Sequence, residues 1–139
     1  MAICLKTKRR IEFAETDMAG IAHFSSFFRY MEEVEHAYFR SLGISVVHQQ
    51  DNSQLSWPRV SAECEFYKPI RFEDVVDVEL ELLRRGKTSL TFGVTFHLDG
   101  QKVASGKLVT ACCSMTVSYT HLRAHETDSY LVCRLLLEK

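Results

Sequence analysis

One stretch of this chain has helical periodicity, and almost everything after it has the periodicity of strands. From Phe27 to Leu42 the apolar residues Phe27, Met31, Val34, Tyr38 and Leu42 recur every three or four positions. Phe24, Phe28 and Phe39 widen that stripe, while Glu32, Glu33, Glu35 and Arg40 supply much of the polar remainder. A helix so aromatic on one side needs a sheet to cover it. Ser25 or Ser26 is placed to cap its start, and Gly43 to stop it after Leu42.

Beyond the helix the period falls to two. Val60, Ala62, Cys64 and Phe66 alternate with Ser61, Glu63, Glu65 and Tyr67. Val76, Val78, Leu80 and Leu82 form a second alternating run, and Leu90, Phe92, Val94 and Phe96 a third. A longer strand is expected from Val103 to Met115. Arg84, Arg85, Gly86 and Lys87 read as a basic hairpin turn, and Asp99-Gly100 is a strong turn signal. Residues 45–56 are polar and aperiodic, which predicts a connecting loop. Leu5 to Phe13 reads as a first strand. The expected class is α+β, with one long helix inserted after the first of five antiparallel strands.

A chain of 139 residues, 46% of them hydrophobic, is large enough for one domain with a real core. The formal net charge of −1 gives no general pull toward nucleic acid or an anionic membrane, and neither is expected as a partner. No apolar run approaches the roughly 18 residues needed to span a bilayer. The basic N-terminus lacks the apolar segment of a secretory signal. The cysteines Cys4, Cys64, Cys112, Cys113 and Cys133 are odd in number and form no CxxC pair. That argues against a disulfide framework or a zinc knuckle and for a reducing cytoplasm. No metal site and no cofactor are expected. His121 and His125 share a helical spacing but no HExxH motif. They lie in residues 116–139, a segment without continuity with the domain that resembles translated adapter or vector read-through. The domain is therefore expected to occupy residues 1–115.

The candidate chemistry lies in the loop from Glu15 to Phe24. Asp17 stands in a glycine-containing turn just before the helix. A carboxylate there can act on a carbonyl whose developing oxyanion is held by the helix's first amides. The plainer reading is an aspartate that holds its own loop through an Asx-type hydrogen bond.

The run Asp17, Gly20, His23, Phe24, Phe27, Phe28, Glu32 resembles the acyl-CoA thioesterases of the hotdog fold, in their 4-hydroxybenzoyl-CoA thioesterase-like branch. The resemblance covers roughly residues 5 to 115. It implies an antiparallel sheet wrapped around the long helix, and homodimers or homotetramers with active sites at the subunit interface. It implies Asp17 as nucleophile or general base, and the backbone amide of Phe24 as the donor that polarises the thioester oxygen. His23 would support Asp17, and Gly20, Ser26, Phe27 and Glu32 would lie about the substrate. Arg84, Arg85 and Lys87 would meet the coenzyme A phosphates. The implied substrate is an acyl-CoA or, with the same thioester, an acyl-carrier protein. Two other readings stay open: a non-catalytic hotdog protein that binds an acyl thioester, and a hotdog dehydratase, for which His23 and Asp17 offer the ingredients.

Overall fold

In the computed structural model, which describes residues 3–44, 47–50, 53–116 and 122–123, a single long helix lies in the concavity of a sheet. Strand β1 (Ile3–Arg10) is followed by a 3-10 turn (Phe13–Glu15) and then by helix α1 (Phe24–Ser41). The strands β4 (Arg59–Phe66), β5 (Val75–Arg85), β6 (Ser89–Leu98) and β7 (Gln101–Ala111) complete the main sheet. Its five strands run in the order β1-β5-β6-β7-β4, all antiparallel. This is the hotdog arrangement. Among the described residues no helix is long and apolar enough to cross a membrane.

The periodicity places the core. Val76, Val78 and Leu80 of β5, with Leu90, Phe92, Val94 and Phe96 of β6, point at the helix and are buried. From α1, Phe27, Tyr30, Met31, Val34 and Phe39 meet them. Tyr38, Leu42 and Phe28 are only partly buried, and Phe24 is 60% exposed at the helix start. Between β6 and β7 the chain reverses at Asp99 (φ 52°) and Gly100 (φ 81°), the two left-handed positions of a type I′ turn. The helix approaches β7 at Gly106, where an added Cβ would stand 2.8 Å from the Glu63 carbonyl oxygen and would strike the Met31 sulfur.

Several expectations are corrected. Strand β1 ends at Arg10, and Phe13 belongs to the 3-10 turn. The helix is capped by His23, not by Ser25 or Ser26. Residues 45–56 are not simply a loop: β2 (Val47–Gln50) and β3 (Ser53–Ser56) form a hairpin. The long strand from Val103 breaks at Cys112, and β8 (Cys113–Thr116) leaves the main sheet to pair with β3. With β9 (Leu122–Arg123) these make a second sheet of four strands, in the order β2-β3-β8-β9. The rest of the 116–139 segment, including His121 and His125, lies outside the described residues.

In β4 the register shifts between Arg59 and Ser61, so Arg59 takes the inward place expected for Val60, which is 62% exposed. Arg59 reaches Glu35, a helix residue expected to face solvent but 1% exposed. The guanidinium grips both carboxylate oxygens, at 2.8 and 2.9 Å, and the Thr110 hydroxyl donates to Glu35 at 2.6 Å. A buried carboxylate so fully partnered fixes helix against strand.

Gly106→Ala forces α1 away from β7. The expected cost is about 1–3 kcal/mol of stability, read as a lowered denaturant midpoint with an unchanged slope.

Candidate active site

The site is built where the chain passes from β1 into α1. Ile11 is buried, and its N–H donates to Asp74 O at 2.8 Å, tying this passage to the start of β5. Thr16 then bridges to Ala22, and the Asp17 N–H donates to Ile21 O at 2.8 Å. Between them the loop turns through Gly20, whose φ of 79° suits a residue without a side chain. One oxygen of Asp17 accepts from the amides of Ala19 (2.9 Å) and Ile21 (3.4 Å). The other takes no hydrogen bond among the described residues. The Asx turn and an open carboxylate oxygen thus coexist in one side chain.

Asp17 borders a cleft of about 430 Å³ whose apolar walls include Ile21, Phe24, Phe27, Phe66 and Ile70. Lys68 is the cation on this lining, its ammonium donating to Gln101 at 2.5 Å. A larger depression of about 730 Å³ lies across β1, β5 and β6. Lys6 and Lys8 there already face Glu79 and Asp77 as cross-strand ion pairs. The smaller cleft is the better site, because its apolar surface meets an open carboxylate.

The first turn of α1 opens on the same cleft. His23 caps the helix: its Nδ1 accepts from the Ser25 amide at 3.2 Å and lies 2.8 Å from the Ser25 hydroxyl. The ring also lies against Phe24, with centroids 4.5 Å apart. No described group accepts the Phe24 N–H, which stands at the first helical position, where such donors have no partner within the helix. Phe27 is 3% exposed and packs edge-on to Phe66, centroids 5.0 Å apart, at the cleft wall.

Other expected site residues stand elsewhere. Ser26 is buried and donates its hydroxyl to Glu15 O at 3.0 Å. Glu32 is exposed on the helix, 3.9 Å from Arg59, and contributes nothing to the cleft lining. Arg84, Arg85 and Lys87 occupy the far end of β5 and its turn. The strand has 11 residues and starts beside the site loop, so roughly 30 Å separates them from Asp17 within one chain. Among the described residues no cluster of three His, Cys, Asp or Glu could hold a metal.

A residue not anticipated lies beneath the loop. Glu15 is 6% exposed, and its carboxylate accepts from Arg9 (2.5 Å), from the Tyr30 hydroxyl (2.9 Å) and from the Glu12 amide (2.8 Å). Arg9 also spans to Glu33 at 2.8 Å and sits 4.8 Å over the Tyr30 ring. Burial pushes the Glu15 carboxyl up, but the Glu12 amide, the Arg9 guanidinium and the Tyr30 hydroxyl outweigh it. Together they hold Glu15 below the ordinary value of 4.5. The Tyr30 phenol is pushed up, by burial first and then by Glu15.

The sequence pattern of the thioesterase superfamily matches residues 19–105. A provisionally named esterase of Aquifex aeolicus is 36% identical over 107 residues, covering 76% of this chain and 80% of its own. A 1,4-dihydroxy-2-naphthoyl-CoA hydrolase of Prochlorococcus marinus is 29% identical over 110 residues, covering 74% and 70%. The solved structure of a hypothetical protein from Aquifex aeolicus superimposes with a TM-score of 0.66 at 29% identity, over 77% of this chain and 97% of its own.

Glu15 is more acidic in the folded chain than in the unfolded one, so the folded state binds fewer protons. Its stabilisation is complete above 4.5 and lost as pH falls below that value. Urea midpoints measured from pH 7 to pH 3 should fall more steeply below 4.5 in the natural chain than in Glu15→Gln.

Proposed function

Because the chain belongs to the thioesterase superfamily, we propose that it hydrolyses an aromatic acyl-CoA to the free acid and coenzyme A, with Asp17 as the reacting carboxylate. The observation that carries this reading is the meeting, at one cleft, of the open oxygen of Asp17 and the unpartnered N–H of Phe24. The thioester carbonyl oxygen accepts from that N–H, and the helix dipole behind it favours the negative charge that develops there.

Asp17 has two balanced routes. As a nucleophile it bonds to the carbonyl carbon, the C–S bond breaks, and the thiolate leaves. Water then cleaves the resulting anhydride and restores the carboxylate. As a general base it takes a proton from water, and the hydroxide so formed expels the thiolate, which recovers the proton. The open oxygen serves either route, and a thiolate leaves without strong acid assistance. His23 supports the site as a helix cap, its Nδ1 engaged by Ser25.

The aromatic acyl group is supported by the rings of Phe24, Phe27, Phe66 and Tyr67 on the cleft, and by the naphthoyl-CoA substrate in the name of the Prochlorococcus relative. Asp17→Asn should reduce turnover at least roughly 100-fold while leaving the melting temperature nearly unchanged. Free-thiol release across aromatic and aliphatic acyl-CoAs and acyl-carrier proteins measures both the loss and the preference. Near-normal turnover by the Asn variant overturns the assignment.

The site is completed in a homodimer paired through β4. That strand ends the sheet with its outer edge unpaired among the described residues, and Val60, Phe66 and Tyr67 on it or just after it are exposed. Such an edge invites pairing with a second copy. A two-fold antiparallel pairing there reverses the partner's strands, bringing the partner's basic hairpin to the end of the sheet that holds Asp17. Arg84, Arg85 and Lys87 then meet the coenzyme A phosphates of the other protomer's site.

Mixing tests this directly. Asp17→Asn and the Arg84→Glu, Arg85→Glu double variant should each be impaired alone. Their mixed dimer should recover one intact site, and with it a low KM for acyl-CoA. No recovery after subunit exchange argues that hairpin and carboxylate do not cooperate across the interface.

A further inference from the structure

We propose that Glu15 is a positioning residue for the reaction, fixing the loop that carries Asp17 against the first turn of α1. The inference rests on the thioesterase reading given above. Its basis is a convergence of six hydrogen bonds on one residue two positions before Asp17. The carboxylate draws together β1 through Arg9, the 3-10 turn through the Glu12 amide, and the second turn of the helix through Tyr30. The peptide oxygen of the same residue accepts from the His23 amide at 2.8 Å and from the Ser26 hydroxyl at 3.0 Å.

Those last two donors belong to the helix cap and the first turn, on either side of Phe24. Glu15 therefore sets the separation between Asp17 and the Phe24 N–H through both its side chain and its backbone. Neither group is touched by Glu15 itself, so its effect passes through the loop. A misplacement of about 1 Å at a reacting group is enough to cost two orders of magnitude in rate.

The carboxylate cannot be replaced by an amide of the same shape. One oxygen receives Tyr30, the Glu12 amide and one Arg9 nitrogen, and the other receives the second Arg9 nitrogen. Glutamine has a single oxygen, so its NH2 group must face either a hydroxyl and an amide or a guanidinium. Each arrangement sets donor against donor in a buried site.

Full-length Glu15→Gln, assayed for thiol release well below its melting temperature and normalised to folded protein, should lose at least tenfold in kcat. KM for the same acyl-CoA should stay within twofold. Tyr30→Phe removes one of the six bonds and should lose about threefold in kcat, again with KM unchanged. In the double variant the two losses should fall short of their product, because they break one network. A folded Glu15→Gln with full kcat overturns the proposal, as does a lowered melting temperature with kcat per folded molecule intact. Where Glu15→Gln does not fold, Tyr30→Phe decides: unchanged kcat overturns it. A natural chain that releases no thiol from any acyl-CoA overturns the thioesterase reading instead, before any variant is compared.

Discussion

The close seating of α1 on the sheet governs the rest of the molecule. Gly106 lets the helix settle against β7, with Met31 occupying the space a side chain would fill. From that contact the sheet curves around Phe27, Tyr30, Val34 and Phe39 and excludes water from one face of the helix. The helix start is consequently not a free terminus. It is held at the rim of a packed body, with the Phe24 N–H fixed beside the cleft.

Two buried carboxylates then fix the helix in position and rotation. Glu35 joins α1 to β4 and β7 through Arg59 and Thr110, midway along the helix. Glu15 joins the approaching loop to the N-terminal half through Tyr30 and Ser26. Apolar packing is tolerant of small sliding, whereas a bidentate charge pair is directional. The hydrophobic face supplies most of the stabilisation, and the charges select one placement.

The architecture was legible because period-two runs survive in the strands buried against the helix: Val76 to Leu82 and Leu90 to Phe96 read correctly residue by residue. The aromatic helix stood out by its spacing of three and four residues, and Asp17 by its place in the turn before it. What failed depended on contacts distant in sequence. Glu35 looks like any polar helix residue until Arg59, 24 positions away, turns inward at a bulge. His23 is a poor cap by preference, yet its ring nitrogen reaches Ser25 where serine was expected to act. Glu15 could have been suspected from the Glu-Thr-Asp run, since a second acid beside the candidate one needs a reason. Nothing local, however, said that it was buried. The hairpin of β2 and β3 has a polar sequence without alternation, and its further partner, β8, comes from far along the chain.

Glu15 and Asp17 are separated by one residue but live in different solvents. The inner acid is dry, saturated with donors and committed to its charge; the outer one stays wet and keeps an oxygen uncommitted. A chain that divides labour this way can change what it accepts without loosening what holds it. Residues such as Ile21, Ile70 and Phe66 border the cleft and do not belong to the Glu15 network. Their drift would reshape that cleft while the scaffold behind Asp17 stayed constant.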